Sequence, residues 1–294
     1  MADVVIAADV GGTKTVVAVR VDGTERARVR ATGAAVRPGR AMASAATIAA
    51  AARQALAEAG QLRGQVLIVG AAGAGREAEA DELARALRGE DVADQVHVTT
   101  DIALALRAAF GDEAGMVLCA GTGSIAAARD SSGSMTRMGG YGWQMGDGGG
   151  GYDIGRAALM RVSLGHDGLA APSALEDRLV SAAHVGNFDG LVRWAAAAGP
   201  KEVAALARVV LDTAAEGDAA AQAVVAYAGG QLVELVTGLA ERTKVRQVAL
   251  AGGVLSAGAL RDEVRHALRD AGLEVLDAEV DPIEGAWEVA GRTS

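Results

Sequence analysis

The sequence predicts an α/β protein made of two related halves. Two observations support this fold class. Short apolar runs typical of strands alternate with longer helical segments, and a strand, glycine turn, strand pattern occurs twice, in residues 4–21 and 116–134. When the two copies are aligned, Asp9–Thr13 falls beside Ala120–Ser124. A duplication of this kind implies a cleft between the copies.

The first half is predicted to begin with a hairpin and to continue as alternating helices and strands. Gly60 ends the first helix, because glycine readily adopts the backbone conformation that terminates helices. The predicted strands are Val4–Ala8, Thr15–Val21, Val66–Gly70 and Val96–Thr99, and the predicted helices are Ala41–Ala59, Glu77–Leu87 and Ile102–Phe110. Strands that alternate with helices favour a largely parallel sheet.

The second half is predicted to repeat the hairpin and then to become mostly helical. Its predicted strands are Met116–Ala120, Ile125–Ala128 and Val248–Ala251. Its predicted helices are Ile154–Leu164, Ala174–Ala183, Val203–Glu216, Ala219–Arg242, Leu260–Ala271 and Glu284–Ala290. At about 150 residues per domain, the 294 residues form two domains. We expect them to be residues 1–114 and 115–294, with the last helix able to pack back on the first domain and with no linker between them.

Composition and charge exclude several classes of partner. The 28 basic and 37 acidic residues give a net charge of −9, and we find no cluster of Lys or Arg. A nucleic acid or an anionic membrane would have to bind against this field. No apolar stretch approaches the roughly 20 residues of a membrane helix, and no export signal stands at the N-terminus. We therefore expect a cytoplasmic protein without nucleic-acid or membrane partners.

Cysteine and histidine provide no metal site in the sequence. Cys119 is the only cysteine, so the chain has no internal disulfide and no Cys-rich zinc or iron–sulfur site of its own. The four histidines have no metal-ligand spacing: His97, His166, His184 and His266. A protein with this cysteine content is typical of a reducing compartment.

The two glycine turns are candidate phosphate-binding loops. Glycine lets backbone N–H groups approach a ligand closely, and such groups bind phosphate oxygens. The turns are Gly11–Thr13 and Gly121–Ser124, each with a hydroxyl beside it. A single turn of this kind is more typical of a tight hairpin, whereas two in matching positions, each preceded by an apolar strand, favour phosphate binding. The P-loop motif is absent, and the formal dinucleotide fingerprint at Gly121–Ala126 is followed by a strand rather than by the helix which that motif requires.

Two acids follow predicted strands and each has two interpretations. Asp101 lies after the strand Val96–Thr99, so it is either a helix N-cap or a base at the carboxyl end of a strand, where open parallel sheets bind ligands. Both roles are compatible, because a fixed carboxylate is well oriented to accept a proton in phosphoryl transfer. Asp9 is either a turn-forming residue or a carboxylate that holds Mg²⁺ through water.

The segment Gly139–Tyr152 is rich in glycine and also carries aromatic rings and an acid. This composition suits a backbone-binding loop more than a core. Aromatic faces beside a carboxylate are typical of sugar recognition, although Tyr141 and Trp143 also fit as side chains packed in a core. Asp147 either contacts a hydroxyl or shapes the turn.

Five motifs in order resemble the N-acetylglucosamine kinase branch of the sugar kinase, Hsp70 and actin superfamily, the group also named for the BadF/BadG/BcrA/BcrD ATPases. They are Asp9–Thr15, Thr99–Asp101, Gly121–Ser124, Gly139–Tyr152 and Ala251–Val254, and together they span nearly the whole chain. This resemblance implies two ribonuclease-H-like (actin-like ATPase) domains hinged around a nucleotide cleft. It also implies an ATP- and Mg²⁺-dependent kinase that phosphorylates the 6-hydroxyl of N-acetylglucosamine or glucosamine. We expect a homodimer.

The resemblance assigns roles residue by residue. Asp101 would be the catalytic base that takes the proton of the sugar 6-hydroxyl, and Asp9 the acid associated with magnesium. The ATP-binding residues would be Gly11, Gly12, Thr13, Lys14, Gly121, Thr122, Gly123, Gly252, Gly253 and Ser256. The sugar-binding residues would be Ser124, Gly140, Tyr141, Gly142 and Asp147.

This sequence departs from the family pattern at several sugar-contacting positions. In the glycine loop, Gly148 stands in place of Glu, Gly150 in place of Ser and Tyr141 where Trp is common. Residues 33–38 lack the Asn that contacts the sugar in related kinases, and Ala74 replaces a serine of the animal enzymes. The predicted catalytic set is intact, and the identity of the amino sugar stays open.

Other function classes are compatible with parts of the sequence. An ATPase of the BadF type without sugar kinase activity shares the glycine motifs, but dehydratase activators need more than one cysteine per chain for their iron–sulfur cluster. A sugar-responsive regulator of the ROK type would need an N-terminal DNA-binding helix pair and usually a cysteine-rich zinc motif. A nicotinamide enzyme rests on the Gly121–Ala126 match alone.

Overall fold

The computed structural model describes residues 3–256 and 258–291. Contacts within the chain define two compact units. Unit 1 extends to Glu113 and resumes at Val280, and unit 2 is Ala114–Glu279. The division at 113 and 114 lies one residue from the expected boundary. The final helix, which was expected to be able to pack back on the first domain, is part of unit 1.

Unit 1 contains a five-stranded mixed sheet. Its elements in chain order are β1 (Val4–Val10), β2 (Lys14–Val21), β3 (Thr24–Thr32), α1 (Ala41–Glu58), β4 (Gly64–Ala71), α2 (Glu77–Gly89), β5 (Ala93–Thr99) and α3 (Asp101–Phe110). The strand order is β3-β2-β1-β4-β5. The first three strands pair antiparallel, and β4 and β5 continue the sheet parallel to β1.

Unit 2 contains a second sheet with the same topology. Its elements are β6 (Gly115–Ala120), β7 (Ser124–Arg129), β8 (Met135–Gly139), α4 (Gly151–His166), α5 (Leu175–Ala182), α6 (Phe188–Ala197), α7 (Pro200–Ala215), α8 (Ala219–Thr243), β9 (Gln247–Ala251), a 3₁₀ turn (Gly253–Leu255), α9 (Ala259–Asp270) and β10 (Glu274–Val275). The order β8-β7-β6-β9-β10 repeats the antiparallel and parallel pairings of unit 1. This agreement confirms the internal duplication predicted from the two glycine turns.

Helices cover both faces of the sheet in unit 1. Alternate side chains of a strand point to opposite faces, so Ile6 and Ala8 pack with α1 and α2, whereas Val5 and Ala7 pack with α3 and with α10 (Pro282–Ala290). Gly285 allows α10 to approach α3 closely, because a Cβ at this position would overlap the carbonyl oxygen of Leu104. The helix that begins at Asp101 is thereby held against the sheet.

Four elements of the structure were not predicted from the sequence. Strand β3 was not predicted, since its outward positions are charged and only Ala27 and Val29 are well buried, as expected of an edge strand. The edge strands β8 and β10 and the helix α6 were also missed. Helix α6 buries only Leu191 fully, so its apolar periodicity is weak.

Helix α8 has the length and composition of a membrane-spanning helix, contrary to the expectation from sequence. It is the single such helix in the part of the chain that the structure describes. One face of α8 lies in the core of unit 2, where Val224, Ala228, Leu232 and Val236 are buried. A helix packed in a protein core can have the same length and apolar composition as a membrane-spanning helix, so this feature is weak evidence for a membrane.

Candidate active site

The carboxyl ends of β1, β4 and β5 meet at one edge of the unit 1 sheet. Asp9 near the end of β1 lies opposite Gly70 of β4, and Gly70 lies opposite Thr99 of β5. Helix α3 starts at the same edge, because Asp101 follows Thr99 after one residue. Parallel sheets bind their ligands at this edge. The fold therefore brings Asp9 and Asp101, the two acids singled out in the sequence, to the same place.

Asp9 and Asp101 interact electrostatically. Burial, followed by the charge of Asp101, raises the pKa of Asp9 to about 6, and Lys14 opposes this increase. Asp281, the N-cap of α10, adds a further negative charge that raises the same pKa. Burial raises the pKa of Asp101 also. This edge of unit 1 is thus a site of concentrated negative charge, which a cation or a proton would relieve.

Thr100, not Asp101, caps helix α3. The hydroxyl oxygen of Thr100 accepts a hydrogen bond from the Ala103 N–H at 3.2 Å, so interpreting Asp101 as the N-cap was wrong. Asp101 is the first helical residue, and its Oδ1 accepts from the Ile102 N–H at 2.9 Å. The Asp101 carboxylate is thus not used to cap the helix, and its hydrogen bond from the Ile102 N–H gives it a fixed orientation at the start of α3.

The first glycine turn connects β1 to β2 beside Asp9. The Gly11 N–H donates to the Lys14 carbonyl at 2.9 Å, which closes the turn. Gly11 and Gly12 are partly buried, whereas Thr13 and Lys14 are exposed. The Thr13 carbonyl accepts from the Gly33 N–H at 2.8 Å, and a Cβ on Gly33 would overlap the Gly12 carbonyl. Gly33 therefore supports the loop from behind, a role that the sequence did not reveal.

The second glycine turn connects β6 to β7 and packs against the start of α4. The Gly121 and Thr122 carbonyls accept from the N–H groups of Gly151 and Tyr152 at 2.8 and 2.9 Å. The Gly121 N–H donates to the Gly123 carbonyl at 2.9 Å. The loop carbonyls are therefore engaged within unit 2.

Asp147 joins the second glycine turn to the Gly139–Tyr152 loop. Its Oδ1 accepts from the Gly142 N–H at 3.2 Å, and the Ser124 N–H is a further donor to this carboxylate. A Cβ on Gly123 would overlap the Asp147 carboxylate, so any other residue at position 123 would displace Asp147. Burial raises the pKa of Asp147, and the backbone donors oppose the increase. The turn-shaping interpretation of Asp147 is therefore confirmed, and its contact with a sugar stays a prediction.

The other residues predicted to bind sugar have distinct environments. Ser124 is buried and its hydroxyl donates to the Gly148 carbonyl at 2.8 Å, so the hydroxyl is used within unit 2. Gly140 has a φ of +68°, and a Cβ there would lie 2.7 Å from Ile125. Tyr141 is 60% exposed and Trp143 is 42% exposed, so the interpretation of these rings as core side chains was wrong.

The predicted adenosine-binding residues lie at the end of β9, in unit 2. Gly252 has a φ of +91°, and a Cβ there would overlap the Ala120 carbonyl, so β9 ends directly beside the start of the second glycine turn. The Ser256 hydroxyl donates to the Gly253 carbonyl at 3.0 Å. Glycine at position 252 is required by both the φ angle and the close approach.

One of the differences between the Gly139–Tyr152 loop and the family pattern, the glycine at position 150, has a structural explanation. A Cβ on Gly150 would lie 2.6 Å from the Gly123 carbonyl carbon, so the family serine does not fit this arrangement. A Cβ on Gly148 would meet Gln231 Oε1 at 2.9 Å, the end of a flexible side chain that is able to move. The change at Gly150 is therefore coupled to the second glycine turn.

Metal ligands are sparse in the structure. Across residues 3–256 and 258–291, no three His, Cys, Asp or Glu side chains form a cluster that could hold a metal ion. Asp9 and Asp101 nevertheless fit a Mg²⁺ ion that is bound largely by phosphates and water, since such ions take only one or two protein carboxylates. Burial, followed by the charges of Asp101 and Asp281, raises the pKa of Asp9, and a cation bound here would stabilise the ionised carboxylate.

Sequence comparisons identify two curated relatives. The chain is 28% identical over 196 residues to an N-acetylmuramic acid/N-acetylglucosamine kinase of Clostridium acetobutylicum, covering 65% of this chain and 64% of the relative. It is 27% identical over 213 residues to an N-acetyl-D-glucosamine kinase of Dictyostelium discoideum, covering 68% of this chain and 66% of the relative. The matched parts thus span slightly less than two thirds of each relative.

Structural comparison and a family model cover nearly the whole chain. A predicted N-acetylglucosamine kinase from Chromobacterium violaceum matches with a TM-score of 0.80 and 25% identity, covering 97% of both chains. A ROK family glucokinase from Streptomyces griseus shares the fold, with a TM-score of 0.65 and 17% identity over 98% of this chain and 99% of that one. The model of the BadF/BadG/BcrA/BcrD ATPase family matches residues 8–290. The chain belongs to the BadF/BadG/BcrA/BcrD ATPase family.

Proposed function

We propose that this protein is an ATP-dependent kinase that phosphorylates the 6-hydroxyl of an amino sugar, N-acetylglucosamine or glucosamine. One observation carries the proposal: Asp101, at the start of α3, lies near Asp9 at the carboxyl edge of the unit 1 sheet, where β1 leads into a glycine turn. The names of the two curated relatives and of the Chromobacterium protein support the choice of an amino sugar.

Asp101 acts as the general base in the proposed reaction. The sugar O6 attacks the γ-phosphorus of ATP, the bond to the β-phosphate oxygen breaks, and ADP leaves as the O6 proton moves to a carboxylate oxygen of Asp101. The raised pKa of Asp101 favours this proton transfer late in the reaction. The hydrogen bond from Ile102 to Oδ1 fixes the carboxylate and directs its other oxygen to accept the proton.

The glycine loops bind the phosphates of ATP. Backbone N–H groups of these turns, other than those of Gly11 and Gly121, which close the turns themselves, donate to phosphate oxygens, and the Lys14 ammonium adds a positive charge beside the first loop. Gly252, Gly253 and Ser256 contact the adenosine part of the nucleotide. Catalysis in this arrangement depends on positioning and charge neutralisation.

Asp9 would hold the Mg²⁺ ion that accompanies ATP. When bound, Mg²⁺ neutralises the negative charge that the phosphate oxygens carry during transfer. Asp9 must be ionised for this role, and its pKa of about 6 leaves it ionised at neutral pH. Lys14 lowers this pKa and so helps Asp9 to remain charged.

The proposal is tested by incubating the protein with ATP and Mg²⁺ and a panel of N-acetylglucosamine, glucosamine, glucose and N-acetylmuramic acid. ADP release is followed, and ³¹P and ¹H NMR locate the phosphate on the sugar. We expect ADP release that requires an amino sugar and a 6-phosphate product. ADP release that is the same with and without every sugar would instead identify an ATPase without sugar kinase activity.

Asp101→Asn provides the matched test of the base. Asp94→Asn, which removes an exposed acid that pairs with Arg63 in the same unit, is the control. We expect Asp101→Asn to lose sugar phosphorylation while it still binds ATP, because the glycine loops are unchanged. Turnover near the wild-type value in Asp101→Asn would contradict the role of this residue.

A further inference from the structure

The turn between β9 and α9, residues 252–256, carries the three residues that are proposed to contact adenosine. The Leu255 N–H donates to the Gly252 carbonyl at 3.0 Å. The Ser256 hydroxyl donates to the Gly253 carbonyl, also at 3.0 Å. These two hydrogen bonds lie within the turn and shape it. The position of the turn relative to β9 therefore depends on contacts from other residues.

Arg261, on helix α9, contacts the backbone on both sides of this turn. Its Nη1 donates to the Leu255 carbonyl at 2.8 Å and makes a longer hydrogen bond, at 3.5 Å, to the Leu250 carbonyl. Leu250 belongs to β9, before the turn, whereas Leu255 is the last residue of the 3₁₀ turn. One guanidinium group thus connects the end of the strand to the far side of the turn.

Both of these carbonyls lie where regular secondary structure ends. The Val248 carbonyl of β9 accepts from the Leu276 N–H at 2.8 Å, directly after β10 ends at Val275. Carbonyls two residues apart in a strand point to the same side, so the Leu250 carbonyl lies beyond the end of β10. The Leu255 carbonyl ends a 3₁₀ turn, and the last carbonyls of a helix have no partner within it. Arg261 therefore supplies a donor where the local backbone pattern stops.

The placement of Arg261 is unusual for a helix. It is the third residue of α9, and the N-terminal end of a helix dipole disfavours a cation. Arg265 and Arg269, further along the same helix, pair with Asp277 at 3.0 and 3.1 Å. Arg261 instead points to backbone carbonyls, with which a charged donor makes a strong hydrogen bond. Its contacts with the turn therefore explain why a cation stands at this end of α9.

We propose that Arg261 is a positioning residue for the nucleotide, because it holds the 252–256 turn in the place where this turn contacts the adenosine part of ATP. The inference rests on the proposed use of ATP by this protein. Arg261 acts through the turn and does not itself contact ATP. Loss of the guanidinium should therefore weaken ATP binding while it leaves the Gly139–Tyr152 loop and the base, Asp101, unchanged.

The test compares Arg261→Gln, Arg261→Lys and Arg265→Gln with the wild-type protein. Arg265 lies on the same helix and pairs with Asp262 and Asp277, so its variant is the matched control. Titration calorimetry without sugar measures Kd for ATP in the presence of Mg²⁺. We expect about tenfold weaker binding in Arg261→Gln, as for loss of a charged hydrogen bond. Arg261→Lys keeps the charge and is able to reach one carbonyl, so its Kd should be intermediate, and Arg265→Gln should stay within about twofold of wild type.

Steady-state kinetics separates positioning from a general effect on the fold. We expect Arg261→Gln to raise KM for ATP about tenfold. Its kcat and its KM for the sugar should stay within about twofold of wild type. A purely structural role would lower the thermal unfolding temperature without changing Kd for ATP, and that result would overturn the proposal. If Arg261→Gln does not fold, the comparison of Arg261→Lys with wild type decides in the same way.

The calorimetry also distinguishes this inference from the kinase assignment. If no sugar is phosphorylated but ATP binds the wild-type protein more tightly than Arg261→Gln, the kinase function fails and the role of Arg261 stands. If a sugar is phosphorylated and both proteins bind ATP equally, the kinase function stands and the role of Arg261 fails. A wild-type protein that binds no ATP would overturn both.

Discussion

Asp9 and Gly70 lie directly opposite each other in the paired parallel strands β1 and β4. Gly70 also pairs with Thr99, and a Cβ at position 70 would lie 3.3 Å from the Cα of Asp101 and 2.7 Å from the Cγ of Leu104. The absence of a side chain at Gly70 therefore lets the first turn of α3 lie over the end of β4. This contact brings Asp101 close to Asp9.

Gly70→Ala is predicted to displace Asp101 and to reduce turnover. The added methyl group overlaps Leu104 in the core, and overpacking of this kind costs about 1 to 3 kcal/mol of unfolding free energy. We expect a lower kcat with little change in KM for ATP, measured together with urea unfolding. Gly89→Ala, at a position with open space around it, is the control and should leave both quantities close to wild type.

Asp101→Asn is predicted to lower kcat about 10²- to 10⁴-fold, the usual contribution of a general base. The amide keeps the size of the side chain but accepts no proton. ATP affinity, measured by titration calorimetry, should remain within about threefold of wild type because both glycine loops are intact. A parallel loss of ATP binding would show that Asp101 supports the nucleotide site instead.

The pKa of Asp9 predicts a specific dependence of stability on pH. In the folded protein this pKa is raised from 3.8 to about 6, so the folded state binds more protons than the unfolded state between these values. Stability is therefore favoured below pH 4 and falls as pH rises through 6, by about 3 kcal/mol for this group. Urea unfolding at pH 4.5 and pH 7.5 measures the change.

Asp9→Asn is predicted to remove the loss of stability that the wild-type protein shows as pH rises. The variant should be more stable than wild type at pH 7.5, and the difference should shrink towards pH 4. The same variant should require more Mg²⁺ for half-maximal turnover, since the carboxylate that holds the ion is gone. Wild-type and variant unfolding curves that run parallel across this pH range would contradict the assignment of the raised pKa to Asp9.

Gly123→Ala is predicted to separate the second glycine turn from Asp147. Its methyl group would overlap the Asp147 carboxylate, which also accepts from the Gly142 N–H. We expect a rise in KM for both ATP and sugar and a loss of about 1 to 3 kcal/mol of stability. Gly186→Ala, in an open turn of the same unit, is the control. Unchanged KM values in Gly123→Ala would mean that the two loops act independently.

The sequence by itself determined the duplicated α/β fold and the position of most elements. Apolar strands before glycine turns are local patterns, so β1, β2, β6 and β7 were predictable from their residues. Strand β3 escaped prediction because an edge strand exposes one face, and here that face is occupied by charged residues. The exposure of Tyr141 and Trp143 could not be predicted, because burial of a side chain is decided by neighbours that are distant in the chain.

Only the tertiary structure decided how the candidate site residues are held. The sequence placed Asp9 and Asp101 after strands, but the shared edge depends on the pairing of β1, β4 and β5 across more than 60 residues. Glycines 33, 70 and 123 looked ordinary in the sequence, because the backbone and side-chain atoms that exclude a Cβ there come from other elements. Local propensity fixes strands and turns, whereas close approach and electrostatic coupling depend on contacts that exist only in the folded chain.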